Sequence, residues 1–110
     1  MIRVSDGRAV RVLARDEFPP GACKRVEVEG RTIALFRIGD DAFAVDAVCR
    51  HREGPLDEGI LEGLTVYCPW HGWQYDLKTG ACMNARGRDL GAYAVELRDD
   101  GVYVVIPAVL

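Results

Sequence analysis

The chain holds two histidines, and each lies just behind a cysteine: Cys49-Arg50-His51 and Cys68-Pro69-Trp70-His71, with 16 residues between the two groups. Thiolates and imidazoles converging on one point suit a borderline-soft metal or an iron–sulfur cluster. Zinc is the first rival, but common zinc patterns pair cysteine with cysteine and histidine with histidine. Here each group carries one of each. Mixed groups make sense where two metal ions share the donors unequally, one taking both sulfurs and the other both nitrogens. In a 2Fe-2S centre of that kind, two histidines replace two cysteines on one iron.

Such donors need rigid elements to hold them, and the sequence around them reads as strands. Val26 and Val28 alternate with Glu27 and Glu29, giving a half-buried strand. Glu29-Gly30 turns the chain into "RTIALFRI", and Gly39-Asp40-Asp41 turns it again into "AFAVDA", with Phe43 and Val45 on one face. After the first Cys/His group and Glu62-Gly63 comes "LTVYC", which runs into the second group. "WQYDL" follows, closed by Lys78-Thr79-Gly80. The C-terminal part offers "AYAVEL", a turn at Asp99-Asp100-Gly101, and "VYVVI". A single helical turn is expected near Asp16-Glu17-Phe18, cut short by Pro19-Pro20. Short strands broken by such turns predict an all-β, antiparallel sandwich or barrel, with both donor groups in loops beside strands.

Bulk composition narrows the function. At 110 residues one domain is expected, and 49% apolar with 28% charged residues is ordinary for a packed globular chain. A net charge of -3 argues against nucleic acid as a partner. No apolar run approaches the roughly 20 residues of a membrane span. "MIRVSDGRAVRVLARDE" is charged early and has no apolar core, so no secretory signal is expected. The cytoplasm is therefore the simplest location, where thiols stay reduced and metal ligation is the better reading of clustered Cys and His.

The arrangement Cys49-x-His51-x16-Cys68-x2-His71 resembles the Rieske motif, and Gly54-Pro55-Leu56 and "CPWHGWQYDLKTG" agree with it. The resemblance covers essentially the whole chain. It implies one Rieske-type 2Fe-2S cluster held by Cys49, His51, Cys68 and His71. It also implies a Rieske fold, in which a cluster-binding subdomain of two loops, at about 48–77, is inserted in a β base of 1–47 and 78–110. The two thiolates then offset the dipositive charge of an oxidised cluster, and two histidines in place of thiolates raise the potential above that of an all-cysteine ferredoxin. The histidines would sit at the exposed tip, where electrons enter and leave.

Within the family, the high-potential branch has an extra cysteine in each loop, joined by a disulfide, and a serine bonded to a bridging sulfide. Gly54, Trp70 and Trp73 stand at those positions here. Fewer hydrogen bonds to sulfur lower the potential, so a ferredoxin-type cluster is expected near the lower end of the roughly -150 to +300 mV Rieske range. Tyr75 matches the tyrosine that bonds a ligand sulfur in the high-potential branch, and would lift the value slightly. Trp70 and Trp73 are expected to shield the cluster, Pro55 and Pro69 to stiffen the loops, and Gly72 to follow His71 in the motif. Arg50 and Arg52 flank His51, either as solvated surface or as a steering patch for an acidic partner. Cys23 and Cys82 read as ordinary half-buried thiols, and "CMNARGRDLG" lacks the proline often found in that loop of ferredoxin-type members.

Both histidines are committed to the cluster, so none remains for the two-histidine, one-carboxylate iron site of a ring-hydroxylating oxygenase. The expected function is a one-electron carrier, not itself an enzyme, between a flavoprotein reductase and a terminal oxygenase. The alternatives are the small Rieske subunit of an assimilatory nitrite reductase, bound to its large subunit, and a zinc-stabilised binding module.

Overall fold

The run "RTIALFRI" sets the architecture, because it is buried on both sides. The structure is a computed structural model and describes residues 8–47, 56–69, 73–83 and 89–106. Ten strands occur among them: β1 (Arg8–Leu13), β2 (Cys23–Val28), β3 (Arg31–Ile38), β4 (Asp41–Asp46), β5 (Ile60–Glu62), β6 (Thr65–Tyr67), β7 (Gln74–Asp76), β8 (Ala92–Tyr93), β9 (Val95–Arg98) and β10 (Gly101–Ile106). They form three antiparallel sheets, ordered β1-β10-β9, β2-β3-β4-β8 and β5-β6-β7.

The four-stranded sheet is the middle layer. Successive side chains of a strand point to opposite faces. From β3, Ile33 and Leu35 join Val28, Ala44, Phe18 and the β10 residues Val102, Val104 and Ile106 in one buried cluster. Ala34 and Phe36 point the other way and join Val45, Ala47, Leu56, Val66, Cys68, Tyr75, Leu77 and Leu90 in a second. Phe43 packs against this second cluster beside Val45, on the shared face that the sequence predicts. β3 therefore reads as a continuous apolar run, the pattern of a strand covered on both faces.

Two turns depend on backbone geometry. Val28 pairs with Arg31, so β2 and β3 are joined by the two residues Glu29 and Gly30, both at positive φ (51° and 81°). That is the twist-matched two-residue hairpin, in which glycine at the second position carries no steric penalty. Gly80 has φ +79°, and a Cβ there would meet the Leu90 carbonyl oxygen at 2.2 Å. Only glycine lets the chain after β7 pass so close to the segment that returns to β8.

The sequence-predicted strands at 26–29, 31–38, 42–47, 64–68, 73–77 and 102–106 are present within a residue or a few of their ends. The helical turn is a short 3-10 turn, Arg15–Glu17, after which Phe18 is buried completely. Three details differ from expectation. "AYAVEL" is not one strand: β8 pairs with β4 and β9 with β10, so the chain changes sheets at Ala94. β1 was not foreseen because a register shift between Arg11 and Leu13 breaks the two-residue alternation in "RAVRVL". β5 was missed because it is three residues long, squeezed between Gly59 and Gly63. The small sheet also extends past residue 77, since Cys82 bridges Tyr75 and the Met83 amide donates to the Gln74 carbonyl at 2.8 Å.

Candidate metal centre

Both donor loops leave the same buried cluster, and each is closed at its base by a backbone hydrogen bond. The first loop departs after β4. Ala47 is buried, and its amide donates to the Thr32 carbonyl at 3.0 Å. The chain comes back at Leu56, which is also buried and donates its amide to the Ala47 carbonyl at 2.9 Å. The second loop departs at Cys68, directly after β6, where the Cys68 amide donates to the Trp73 carbonyl at 2.7 Å. Ala47, Leu56 and Cys68 belong to one cluster, with Trp73 packed against it. The fold thus roots residues 48–55 and 69–72, which carry the remaining cysteine and both histidines of the motif, on a common floor.

Of the four sequence-predicted ligands, Cys68 is described: it is 2% exposed. Cys49, His51 and His71 lie outside the described residues, as do Arg50, Arg52, Gly54, Pro55, Trp70 and Gly72. Pro69 is exposed at the start of the second loop, and Trp73 is half-buried at its end. Tyr75 is 0% exposed, on β7, in the same cluster as Cys68. A phenol buried this fully has its hydroxyl engaged within the protein. Cys23 and Cys82 are half-buried and pack against the same cluster.

Sequence reading missed the support at the root of the first loop. Asp46, the last residue of β4, accepts hydrogen bonds from the Tyr93 hydroxyl at 2.6 Å and the Gly91 amide at 2.7 Å. Arg31 donates to the same hydroxyl at 3.1 Å, with its guanidinium 5.7 Å from the ring centre. Burial, followed by the hydrogen bond to Asp46, raises the Tyr93 pKa above that of a free phenol. The three side chains come from β3, β4 and β8, so no local spacing in the sequence announces them.

An open depression of about 420 Å³ lies beside Cys68, lined by Ile60, Glu62, Tyr67, Cys68 and Pro69. Tyr67 donates its hydroxyl to Glu62 at 3.1 Å, and that bond raises the tyrosine's pKa.

The donor set fits a cluster whose two irons want different ligands, and a buried thiol at a strand end fits a group shielded from water. The chain belongs to the Rieske family: it matches the Rieske [2Fe-2S] domain over residues 8–94. The cofactor is accordingly one 2Fe-2S cluster, which decides against zinc. The chain is 33% identical to a ferredoxin, CarAc, of Metapseudomonas resinovorans over 97 residues, 86% of this chain and 91% of the relative. A solved complex of reduced oxygenase and oxidised ferredoxin in carbazole 1,9a-dioxygenase contains a chain of TM-score 0.76 and 32% identity, with 88% of this chain and 92% of that one covered. A candidate small subunit of an NADH-dependent nitrite reductase from Mycobacterium tuberculosis has TM-score 0.84, covering 94% and 98% of the two chains. At 22% identity it shows the shared fold alone. Among the described residues, no helix is long and apolar enough to cross a membrane.

Proposed function

We propose that this chain is a Rieske ferredoxin, a soluble cytoplasmic carrier that takes one electron from a flavin-dependent reductase and delivers it to a terminal ring-hydroxylating oxygenase. The observation that carries the reading is the end-to-end match to a ferredoxin, spanning 91% of its length at 33% identity. A further support is the count of histidines: with His51 and His71 on the cluster, none is left for an oxygenase iron. The nitrite reductase alternative rests on fold likeness at 22% identity, and on that ground we place it second.

In this reading Cys49 and Cys68 hold one iron, and His51 and His71 the other. When bound, the cluster supplies a one-electron couple. The protein's part is to hold the ligands still, so that little reorganisation accompanies transfer. The backbone bonds that close both loops, and the Asp46–Tyr93–Arg31 contact beneath the first, serve that end. Tyr75 tunes the couple through a hydrogen bond to a ligand sulfur, while Trp73 and Trp70 keep water from the site. Arg50 and Arg52 flank the exit point at His51 and guide the approach of a partner.

Reconstitution tests the whole reading. The purified, reduced protein shows a Rieske EPR signal of low average g, and adding it to a reductase and an oxygenase makes substrate oxidation depend on NADH and on its concentration. An absent signal, or copurification with a nitrite reductase large subunit and no coupling to any oxygenase, overturns it.

A further inference from the structure

Beyond β7 the chain folds back on itself and covers Tyr75 from its open side. The turn is closed at Asp76, whose carboxylate accepts the Lys78 amide at 2.8 Å and whose carbonyl accepts the Gly80 amide at 2.7 Å. Ala81, Cys82 and Met83 then run alongside β7. The Asp76 amide donates to the Ala81 carbonyl at 2.9 Å, and the Met83 amide to the Gln74 carbonyl at 2.8 Å. Tyr75 and Cys82 face each other between these two bonds. They are therefore the non-hydrogen-bonded kind of antiparallel pair, in which side chains stand closer together.

Cross-strand partners project to the same side of a sheet. Leu61, Val66, Tyr75 and Cys82 thus form one row, directed into the buried cluster that includes Cys68. The next row, Ile60, Tyr67, Gln74 and Met83, points outward, and Ile60 is 68% and Met83 56% exposed. Tyr75 has Val66 on one flank and Cys82 on the other. It is 0% exposed although β7 is the last strand of its sheet, and residues 81–83 are what cover that edge.

Cys82 is in turn held from outside. In such a pair each residue's own amide points away from its partner. The Cys82 amide donates to the Asp89 carboxylate at 2.8 Å. The next amide, of Leu90, donates to the Gly80 carbonyl at 2.7 Å, and Leu90 is buried in the same cluster as Tyr75. The segment returning to β8 therefore clamps residues 80–82 against β7.

Resting on the tuning reading of Tyr75 above, we propose that Cys82 and Asp89 are positioning residues for the Tyr75 hydroxyl and so help to set the midpoint potential. The Cys82 side chain fixes the ring from its edge flank, and Asp89 fixes the backbone that carries Cys82. A hydrogen bond to sulfur tunes such a couple, and it weakens steeply as its angle departs from linear. A side chain smaller than cysteine at 82 leaves the ring room to tilt. Serine keeps nearly the same shape.

Protein-film voltammetry in a double-mutant cycle tests this. Cys82→Ala and Asp89→Ala are measured alone and combined with Tyr75→Phe, with an intact EPR signal verifying the cluster in each. Cys82→Ala is expected to lower the midpoint by part of the Tyr75→Phe shift, and Asp89→Ala by less. Cys82→Ser and Asp89→Asn, which keeps an oxygen acceptor, stay close to wild type. Met83→Ala, on the same segment but pointing outward, matches wild type. In the Tyr75→Phe protein neither alanine variant moves the midpoint further, because residues acting through one group are not additive. Wild-type midpoints in both alanine variants overturn the proposal while leaving Tyr75 its role. Shifts that persist undiminished in the Tyr75→Phe protein overturn it too, since they do not pass through the hydroxyl. If Tyr75→Phe itself leaves the midpoint unchanged, the tuning reading fails and this proposal falls with it.

Discussion

The two buried clusters on either side of β3 are built by different means. The one facing β10 is closed by long strands: β1, β2, β3, β4 and β10 run six to eight residues each. Its members alternate regularly along them, as in Ile33 and Leu35 or Val102 and Val104. The other faces β5, β6 and β7, which are three residues each. Strands that short bury little apolar surface of their own, so this layer borrows Ala34, Phe36 and Val45 from the base. The base is thus held by its own packing and hydrogen bonds, whereas in the proposed reading the small sheet is held by packing plus the cluster. The first donor loop departs from β4 of the base and the second from β6 of the small sheet, so the proposed site joins the two layers.

Removing Cys68, a proposed ligand, is the strongest way to break that contrast. Cys68→Ser is expected to abolish the Rieske absorbance and EPR signal. Because binding energy at a metal site is folding energy, amide protection should then fall in β5, β6 and β7 while β2, β3 and β10 stay protected. Hydrogen exchange resolved by peptide reads this directly. Uniform loss of protection in the base would show that the two layers fold as one unit.

Core truncations sharpen the same contrast without touching a ligand. Leu35 is 0% exposed in the base cluster, and Leu35→Ala should cost about 3 kcal/mol of global stability. Val66 is 0% exposed in the cluster beneath the small sheet, and Val66→Ala removes less volume, at a cost of about 1–2 kcal/mol. Denaturant unfolding followed both by far-UV circular dichroism and by cluster absorbance separates them. Leu35→Ala moves both transitions together. Val66→Ala moves the absorbance transition to lower denaturant and leaves the dichroism closer to wild type.

The contrast also explains what could be read from the sequence. Long strands advertise themselves: "RTIALFRI" and "VYVVI" carry enough apolar positions to be recognised, and the flanking Gly and Asp residues mark their ends. The motif was legible for a chemical reason, since two histidines spent on two mixed pairs leave few other readings. The three-residue strand β5 has no room for a period, and its outward Ile60 looked like any loop residue. β1 was hidden by its register shift. The Asp46–Tyr93–Arg31 contact joins residues up to 62 positions apart, which only the fold brings together. The break at Ala94 was hidden as well, because "AYAVEL" suits a strand throughout and nothing in it marks a change of sheet.

Tyr75 sits where the small sheet meets the metal centre, and Tyr75→Phe tests whether its hydroxyl tunes the cluster. The ring is wholly buried in the shared cluster, so phenylalanine should keep the packing. A single neutral hydrogen bond contributes about 0.5–1.5 kcal/mol, and if it favours the reduced, more negative cluster its loss lowers the midpoint potential by about 20–65 mV. Protein-film voltammetry measures the shift. An unchanged value in the variant would assign the hydroxyl to packing instead, and a wild-type midpoint well above zero would overturn the expectation of a low-potential, ferredoxin-type cluster.

The smallest expected effect concerns the base side of the junction, at Tyr93. Its folded-state pKa is raised, first by burial and then by the hydrogen bond to Asp46, while an unfolded chain releases the tyrosine proton near pH 10. Above that pH the folded state holds the proton that the unfolded state has lost. The contribution of Tyr93 is therefore complete below about pH 10 and disappears as the pH rises through the folded value. Tyr93→Phe should flatten the alkaline fall in stability, measured by urea unfolding between about pH 9 and 11. Tyr67→Phe on the open face of the small sheet should leave the slope closer to wild type, because its bond to Glu62 is exposed to solvent. Equal changes in the two variants would mean that the Asp46 contact is no tighter than a surface hydrogen bond, and the root of the first loop would then be held by its backbone alone.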